Sequence, residues 1–184
     1  MRIGVLALQG GFAEHAAALA RLGIAHRQVR VPKDLEGISG LIIPGGESTT
    51  LGILAVAGGL VEPLRSFAAT RPVWGVCAGL VFLARDPGRH QTTLGVMDIQ
   101  VARNAYGRQR ESFQAEVQVA DLGAFPGVFI RAPRLVAWGE AVVPLAWRGD
   151  EVVGVRQGMI WATAFHPELT ADTRLHALWA QLCR

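Results

Sequence analysis

Cysteine is almost absent from this sequence. Cys77 and Cys183 are the two thiols in 184 residues, too few for a disulfide framework and without the spacing of metal ligands. That usage suits a reducing cytoplasm. Lysine is scarcer still: Lys33 stands alone among 18 basic residues, which are otherwise arginine and, set against 15 acidic ones, leave a net charge of +3. The arginines are scattered without a block of like charges. No basic helix, aromatic–basic platform or zinc-finger spacing is present, which argues against a nucleic-acid partner. No uninterrupted apolar run reaches the roughly 18 residues of a membrane span. The apolar opening, Met1 to Gly10, is too short for a secretory signal, ends in Gly10-Gly11 and lacks a small-x-small cleavage site. It reads as a buried strand.

What the chain does have is apolar content and glycine. Hydrophobic residues make up 51%, with 22 glycines and 9 prolines, the composition of a compact α/β protein with many tight turns rather than of a disordered chain. The length fits one domain, residues 1–184, able to bury about 70% of the surface its unfolded form exposes.

Ile3 to Leu8 is nearly all apolar, as in a strand covered on both faces of a parallel sheet. Glu14 to Leu22 carries apolar residues at helical spacing and stops at Gly23. His26 to Val31 and Gly40 to Ile43 read as strands, 50–57 and 61–69 as helices, and Val73 to Val76 as a fourth strand. This alternation is that of a doubly wound, mostly parallel sheet with flanking helices. The middle of the chain differs. Thr92 to Ala102, Phe113 to Val119, Val128 to Arg131, Ala141 to Trp147 and Glu151 to Arg156, separated by Gly, Pro and Asp, read as antiparallel strands added to the core sheet. Met159 to Phe165 is one more buried strand, and Thr170 to Leu182 a closing helix capped by Thr170.

In open α/β sheets ligands bind beyond the carboxyl ends of the strands. The residues there are Gln9-Gly10-Gly11, Pro44-Gly45-Gly46-Glu47-Ser48, Cys77 and His166-Pro167-Glu168. Gly75-Val76-Cys77-Ala78-Gly79 is a strand-to-helix turn whose small flanks allow close backbone approach and whose central residue sits on a strained bend. Cys77 then lies at a helix N-terminus, where unpaired N–H groups favour an anion. Alone, the stretch would equally suit a buried core thiol. The partners separate the two readings. A thiol needs a base, and the base needs a third group to hold its tautomer. His166 and Glu168, two apart, point to one side of an extended segment, since Pro167 disfavours helix at His166. His15, His26, His90 and His176 read as structural. Gly45-Gly46 lacks the Lys of a phosphate loop and suits an oxyanion hole shared with the N–H of Ala78.

Gly75 to Gly79 with His166-Pro167-Glu168 resembles the triad class (class I) of glutamine amidotransferases. Further stretches narrow the resemblance: Leu8-Gln9-Gly10, Pro44 to Thr50, Arg103 to Gln109, Phe129-Ile130-Arg131-Ala132-Pro133, and Phe165 to Thr170. Over essentially the whole chain these resemble the glutaminase subunits of pyridoxal 5'-phosphate synthases. The resemblance implies hydrolysis of L-glutamine to L-glutamate and ammonia, without a cofactor or metal. The ammonia would pass to a (β/α)8-barrel synthase subunit in a large hetero-oligomer. It also implies a catalytic triad of Cys77, His166 and Glu168, glutamine binding by Gly46, Glu47, Ser48, Arg103, Ile130 and Arg131, and an oxyanion hole at Gly46 and Ala78. Val76, Ala105 and Tyr106 depart from the residues usual in that family, none at a triad position. The competing readings are a glutaminase serving another synthase, such as the imidazole glycerol phosphate enzyme, a stand-alone cysteine hydrolase, and a binding module in which Cys77 is merely buried.

Overall fold

The computed structural model describes residues 1–102 and 112–184. Four short strands are buried at every position: β1 (Ile3–Leu6), β3 (Gly40–Ile43), β4 (Val73–Val76) and β12 (Ile160–Thr163). Continuous apolar runs of this kind are what a parallel sheet covered on both faces requires. With β2 (His26–Val29) at the edge they pair in parallel in the order β2-β1-β3-β4-β12. The sheet then continues through antiparallel strands β11 (Glu151–Gln157), β10 (Val143–Arg148), β7 (Ser112–Val119) and β8 (Gly123–Ile130).

Five α-helices connect or cover these strands among the described residues: α1 (Phe12–Arg21), α2 (Ser48–Ala57), α3 (Val61–Ala68), α4 (Ala78–Leu83) and α5 (Arg174–Ala180). Between α1 and α5 the core is aromatic. Trp74 on β4 is fully buried, lies 5.7 Å from the Trp179 ring and 6.4 Å from that of Trp161, and donates its indole N–H to Thr163 Oγ1 at 3.1 Å. No single described helix is long and apolar enough to cross a membrane; α2 and α3 reach the length only as a pair, and they are bent by 104°.

Three expectations need correction. β5 (Ala84–Asp86), β6 (Met97–Ala102) and β9 (Arg134–Trp138) form a separate three-stranded sheet, so the predicted strand at Thr92 to Ala102 begins later and does not join the core sheet. Its inward residues Met97, Ile99 and Val101 are buried through this second layer. The closing helix starts at Arg174 rather than Thr170. Thr170 is extended and its hydroxyl donates to the carbonyl of Pro167 while accepting from the N–H of Asp172; the Asp172 carboxylate then takes the Arg174 N–H. A short polar side chain has here closed a turn instead of a cap. Finally, Pro167–Leu169 is a turn of 3₁₀ helix rather than an extended segment, because proline's fixed φ suits the first helical position.

Candidate active site

The strand order reverses between β1 and β3, and the crevice beyond the carboxyl ends of the strands at such a reversal is where this architecture binds ligands. Cys77 lies on the same edge one strand beyond β3, where it belongs to both β4 and α4. Its N–H continues the sheet by donating to Thr163 O at 2.8 Å, and its carbonyl accepts from Val81 N–H at 3.2 Å to open α4. The cost is a backbone at φ 50°, ψ −102°, a left-handed conformation that a side chain disfavours and that clusters at functional sites. Arg131, at φ 43°, shares that strain and faces the same cavity. The close approach behind Cys77 needs both flanking glycines. A Cβ on Gly75 would stand 2.6 Å from Gly79 O, and one on Gly79 would stand 2.1 Å from Ile43 O.

The base arrives from β12. His166 N–H donates to Val128 O at 2.7 Å, and the 3₁₀ turn after it swings Glu168 back so that Oε1 lies 2.7 Å from His166 Nδ1. The expected pairing is therefore present, made by the turn. Burial by itself lowers the His166 pKa, but hydrogen bonding to the Cys77 sulfur and the Glu168 carboxylate, with the charge of both, outweighs it and pushes the value from 6.5 up to about 10. Burial raises the Glu168 pKa, and the neighbouring His15 and His166 more than reverse that, so the carboxylate titrates below its ordinary range. The Cys77 sulfur lies 3.8 Å from Ile130 O.

The third component is the loop after β3. Gly45 O accepts from Gly11 N–H at 3.1 Å. A Cβ on Gly45 would sit 2.4 Å from His166 Cε1, and one on Gly46 would sit 2.2 Å from Gln9 Oε1. Gln9 Oε1 also takes the Glu47 N–H at 2.9 Å. Glu47 caps α2 with its carboxylate, accepting from Thr50 N–H at 2.7 Å. Gln91 reaches across to Ser48 and Thr49.

Together these enclose a cavity of about 140 Å³ lined by Gly46, Glu47, Ser48, Cys77, Ala78, Val81, Ile130, Arg131, Pro133 and His166. Every site residue expected from the sequence that lies among the described ones reaches this cavity, except Glu168, which stands behind His166. Arg103, with Ala105 and Tyr106, lies outside the described residues. Gln9 stood in a stretch marked from the sequence but was given no role there; sequence reasoning missed Gln91, a single amide with no motif to mark it, and His15, which lies 3.5 Å from Glu168 Oε2. Cys183 is buried in the core, where burial pushes its thiol up to about 12.

The SNO glutamine amidotransferase family matches residues 5–184. The chain belongs to that family. Subunit PdxT of pyridoxal 5'-phosphate synthase from Corynebacterium glutamicum is 53% identical over all of this chain and 96% of its own length. The subunits of the same name from Deinococcus radiodurans and Thermus thermophilus are each 53% identical, over 99% and 98% of this chain and 97% and 96% of their own. A solved glutamine amidotransferase superposes with a TM-score of 0.94 at 49% identity, covering 98% of both chains. A putative GMP synthase subunit from Thermoplasma acidophilum, at 18% identity and a TM-score of 0.72 over all of this chain and 94% of its own, shares the fold alone. Membership of the glutamine amidotransferases bears out the resemblance read from the Gly75–Gly79 and His166–Glu168 stretches.

Proposed function

We propose that Cys77, His166 and Glu168 are the triad with which this glutamine amidotransferase hydrolyses L-glutamine to L-glutamate and ammonia, as the glutaminase subunit of a pyridoxal 5'-phosphate synthase. The observation that carries the reading is the cavity itself. A strained thiol and a carboxylate-held imidazole share about 140 Å³ with Arg131. This is well below the roughly 300–1,000 Å³ of drug-sized pockets, and so suits one amino acid rather than a peptide. Arg131 has no carboxylate partner among the described residues. A planar guanidinium suits the α-carboxylate of the substrate, which it can grip with two parallel hydrogen bonds.

In the proposed reaction the Cys77 proton rests on His166 as the imidazolium, and the thiolate attacks the amide carbon. The carbonyl oxygen becomes an oxyanion facing the N–H groups of Gly46 and Ala78. One such donor is worth about 3 to 4 kcal/mol in the transition state. The imidazolium then protonates the departing nitrogen, ammonia leaves, and a thioester remains. A water deprotonated by His166 attacks it, the Cys77 sulfur departs, and glutamate is released. Glu168 holds the imidazole with Nδ1–H pointed at its carboxylate throughout. Neither step needs a cofactor.

Ammonia protonates in neutral water and then no longer acts as a nucleophile, which favours direct delivery. The chain therefore acts as one domain docked in a cytoplasmic hetero-oligomer on a (β/α)8-barrel synthase subunit that receives the ammonia internally. The loop at Gly45-Gly46 is the element that docking reorients. Ammonia release from L-glutamine, measured for the purified chain alone and with the synthase subunit beside a Cys77→Ala control, tests this. Release that requires the partner and disappears with Cys77 is expected. Equal turnover with and without the partner would rule out the switch, and no release in either condition would overturn the function.

A further inference from the structure

The Glu168 carboxylate has two oxygens, and the triad accounts for one. Its side chain is 1% exposed, and a buried ionised oxygen is costly unless something donates to it. Oε1 is held by His166 Nδ1. The nitrogen facing Oε2 is Nε2 of His15, 3.5 Å away on a side chain that is 0% exposed. On its other side His15 Nδ1 lies 2.9 Å from Nε2 of His176, also buried. These atoms form one file from α5 through α1 to the active site, packed against the edge of Trp74, whose ring centre is 6.1 Å from that of His15 and 5.1 Å from that of His176.

We propose that His15 is a positioning residue for the glutaminase reaction, donating its Nε2–H to the second oxygen of Glu168 and held in that tautomer by His176. The proposal rests on the triad reading above. An ionised carboxylate can only accept, so a lone pair on His15 Nε2 would face another lone pair; the proton must be there. A neutral imidazole then offers Nδ1 as the acceptor, and His176 must fill it with its own Nε2–H. Burial lowers the pKa of both histidines, outweighing the pull of Glu168 on His15, so both are neutral. His15 Nε2 and Glu168 Oε2 are both buried and have no other hydrogen-bond partner among the described residues, so each is the group available to satisfy the other; His176 Nδ1, at the far end, is a buried acceptor that also has none. Every donor in the file points toward Glu168. With both oxygens held, the carboxylate cannot rotate, and the imidazole it holds stays aimed at Cys77. Neither His15 nor His176 lines the cavity, so their influence falls on the chemical step and not on glutamine binding.

The test is steady-state glutamine hydrolysis by the chain with its synthase subunit, comparing His15→Met with His15→Gln, each checked for folding by its melting curve. Met fills similar space without a donor. Gln can place an amide N–H where Nε2–H stood. Losing a donor to a buried charged group corresponds to a fall in kcat of about 10-fold to 100-fold, expected for His15→Met with KM unchanged, and His15→Gln recovers most of it. Equal activity of both variants, whether both near wild type or both impaired while folded, overturns the proposal. If His15→Met does not fold, ring-nitrogen NMR on the ¹⁵N-histidine-labelled wild-type chain decides: a neutral Nε2–H tautomer at His15 is expected, and an Nδ1–H tautomer or an imidazolium overturns it. Hydrolysis that survives Cys77→Ala or His166→Asn is a separate result, which overturns the triad reading underneath.

Discussion

At the scale of single residues, the site rests on charge held out of water. Cys77 and His166 are 7% and 8% exposed, and in such surroundings the imidazolium keeps its proton because the Cys77 sulfur and the Glu168 carboxylate flank it. Removing one of these should be visible on the ring. NMR titration of His166 is expected to show the imidazolium persisting in the wild-type chain until about pH 10, and titrating at clearly lower pH in Cys77→Ala, where Glu168 remains but the sulfur does not. The same midpoint in both proteins would mean that the thiol contributes nothing to the pair. Thiolate and imidazolium stabilise each other, the usual way a weak nucleophile is activated.

At the scale of elements, two glycines a short distance apart separate folding from catalysis. Gly79 packs α4 onto β3, and the atom a methyl group would strike is a strand carbonyl, Ile43 O, at 2.1 Å; backbone in the middle of a sheet cannot yield. Gly79→Ala is expected to cost about 3 kcal/mol, the upper end for overpacking, read as a lower urea midpoint. At Gly45 the methyl group would meet His166 Cε1 at 2.4 Å, a ring edge that can swing aside. Gly45→Ala is therefore expected to fold and yet to lose about 100-fold in kcat, the effect of a misplacement near 1 Å. If Gly45→Ala instead unfolds and Gly79→Ala keeps full stability, the division between scaffold and site drawn here is wrong.

At the scale of the whole molecule, the buried histidines shape stability against pH from both sides. His15 and His176 titrate below their ordinary value of 6.5 when folded, so below about pH 6.5 the unfolded chain binds protons that the native state refuses. Each contributes a slope of at most about 1.4 kcal/mol per pH unit. Glu168 adds to this: its folded pKa is depressed, so its contribution is present above its ordinary 4.5 and is lost as pH falls through the folded value. His166 acts in the other direction. Its folded pKa is raised, so its contribution is complete below 6.5 and disappears as pH rises through about 10. Stability is expected to peak near pH 6.5 to 7, with His176→Phe flattening the acid side and His166→Gln the alkaline side, as measured by urea unfolding across pH. A profile that is level from about pH 5 to 9 would contradict these assignments.

The sequence by itself determined the parallel core and marked the residues of the candidate site. β3 and β4 fall on the residues expected, and Cys77, His166 and the loop after Ile43 were marked because the residues that follow a core strand lie at the ligand-binding edge of the sheet. Such signals are local, and local signals survive in a linear string. What only the tertiary structure decided is non-local. β5, β6 and β9 form their own layer because burial of Met97, Ile99 and Val101 depends on which strands come to face them. Thr170 closes a turn because Asp172 and Pro167 compete with the helix for its hydroxyl. His15 read as a structural histidine, since nothing along α1 reveals that α5 and the turn after His166 fold against it. Its position 161 residues from His176 is the physical reason. A pattern of spacing can report only neighbours along the chain, and this contact is made by packing.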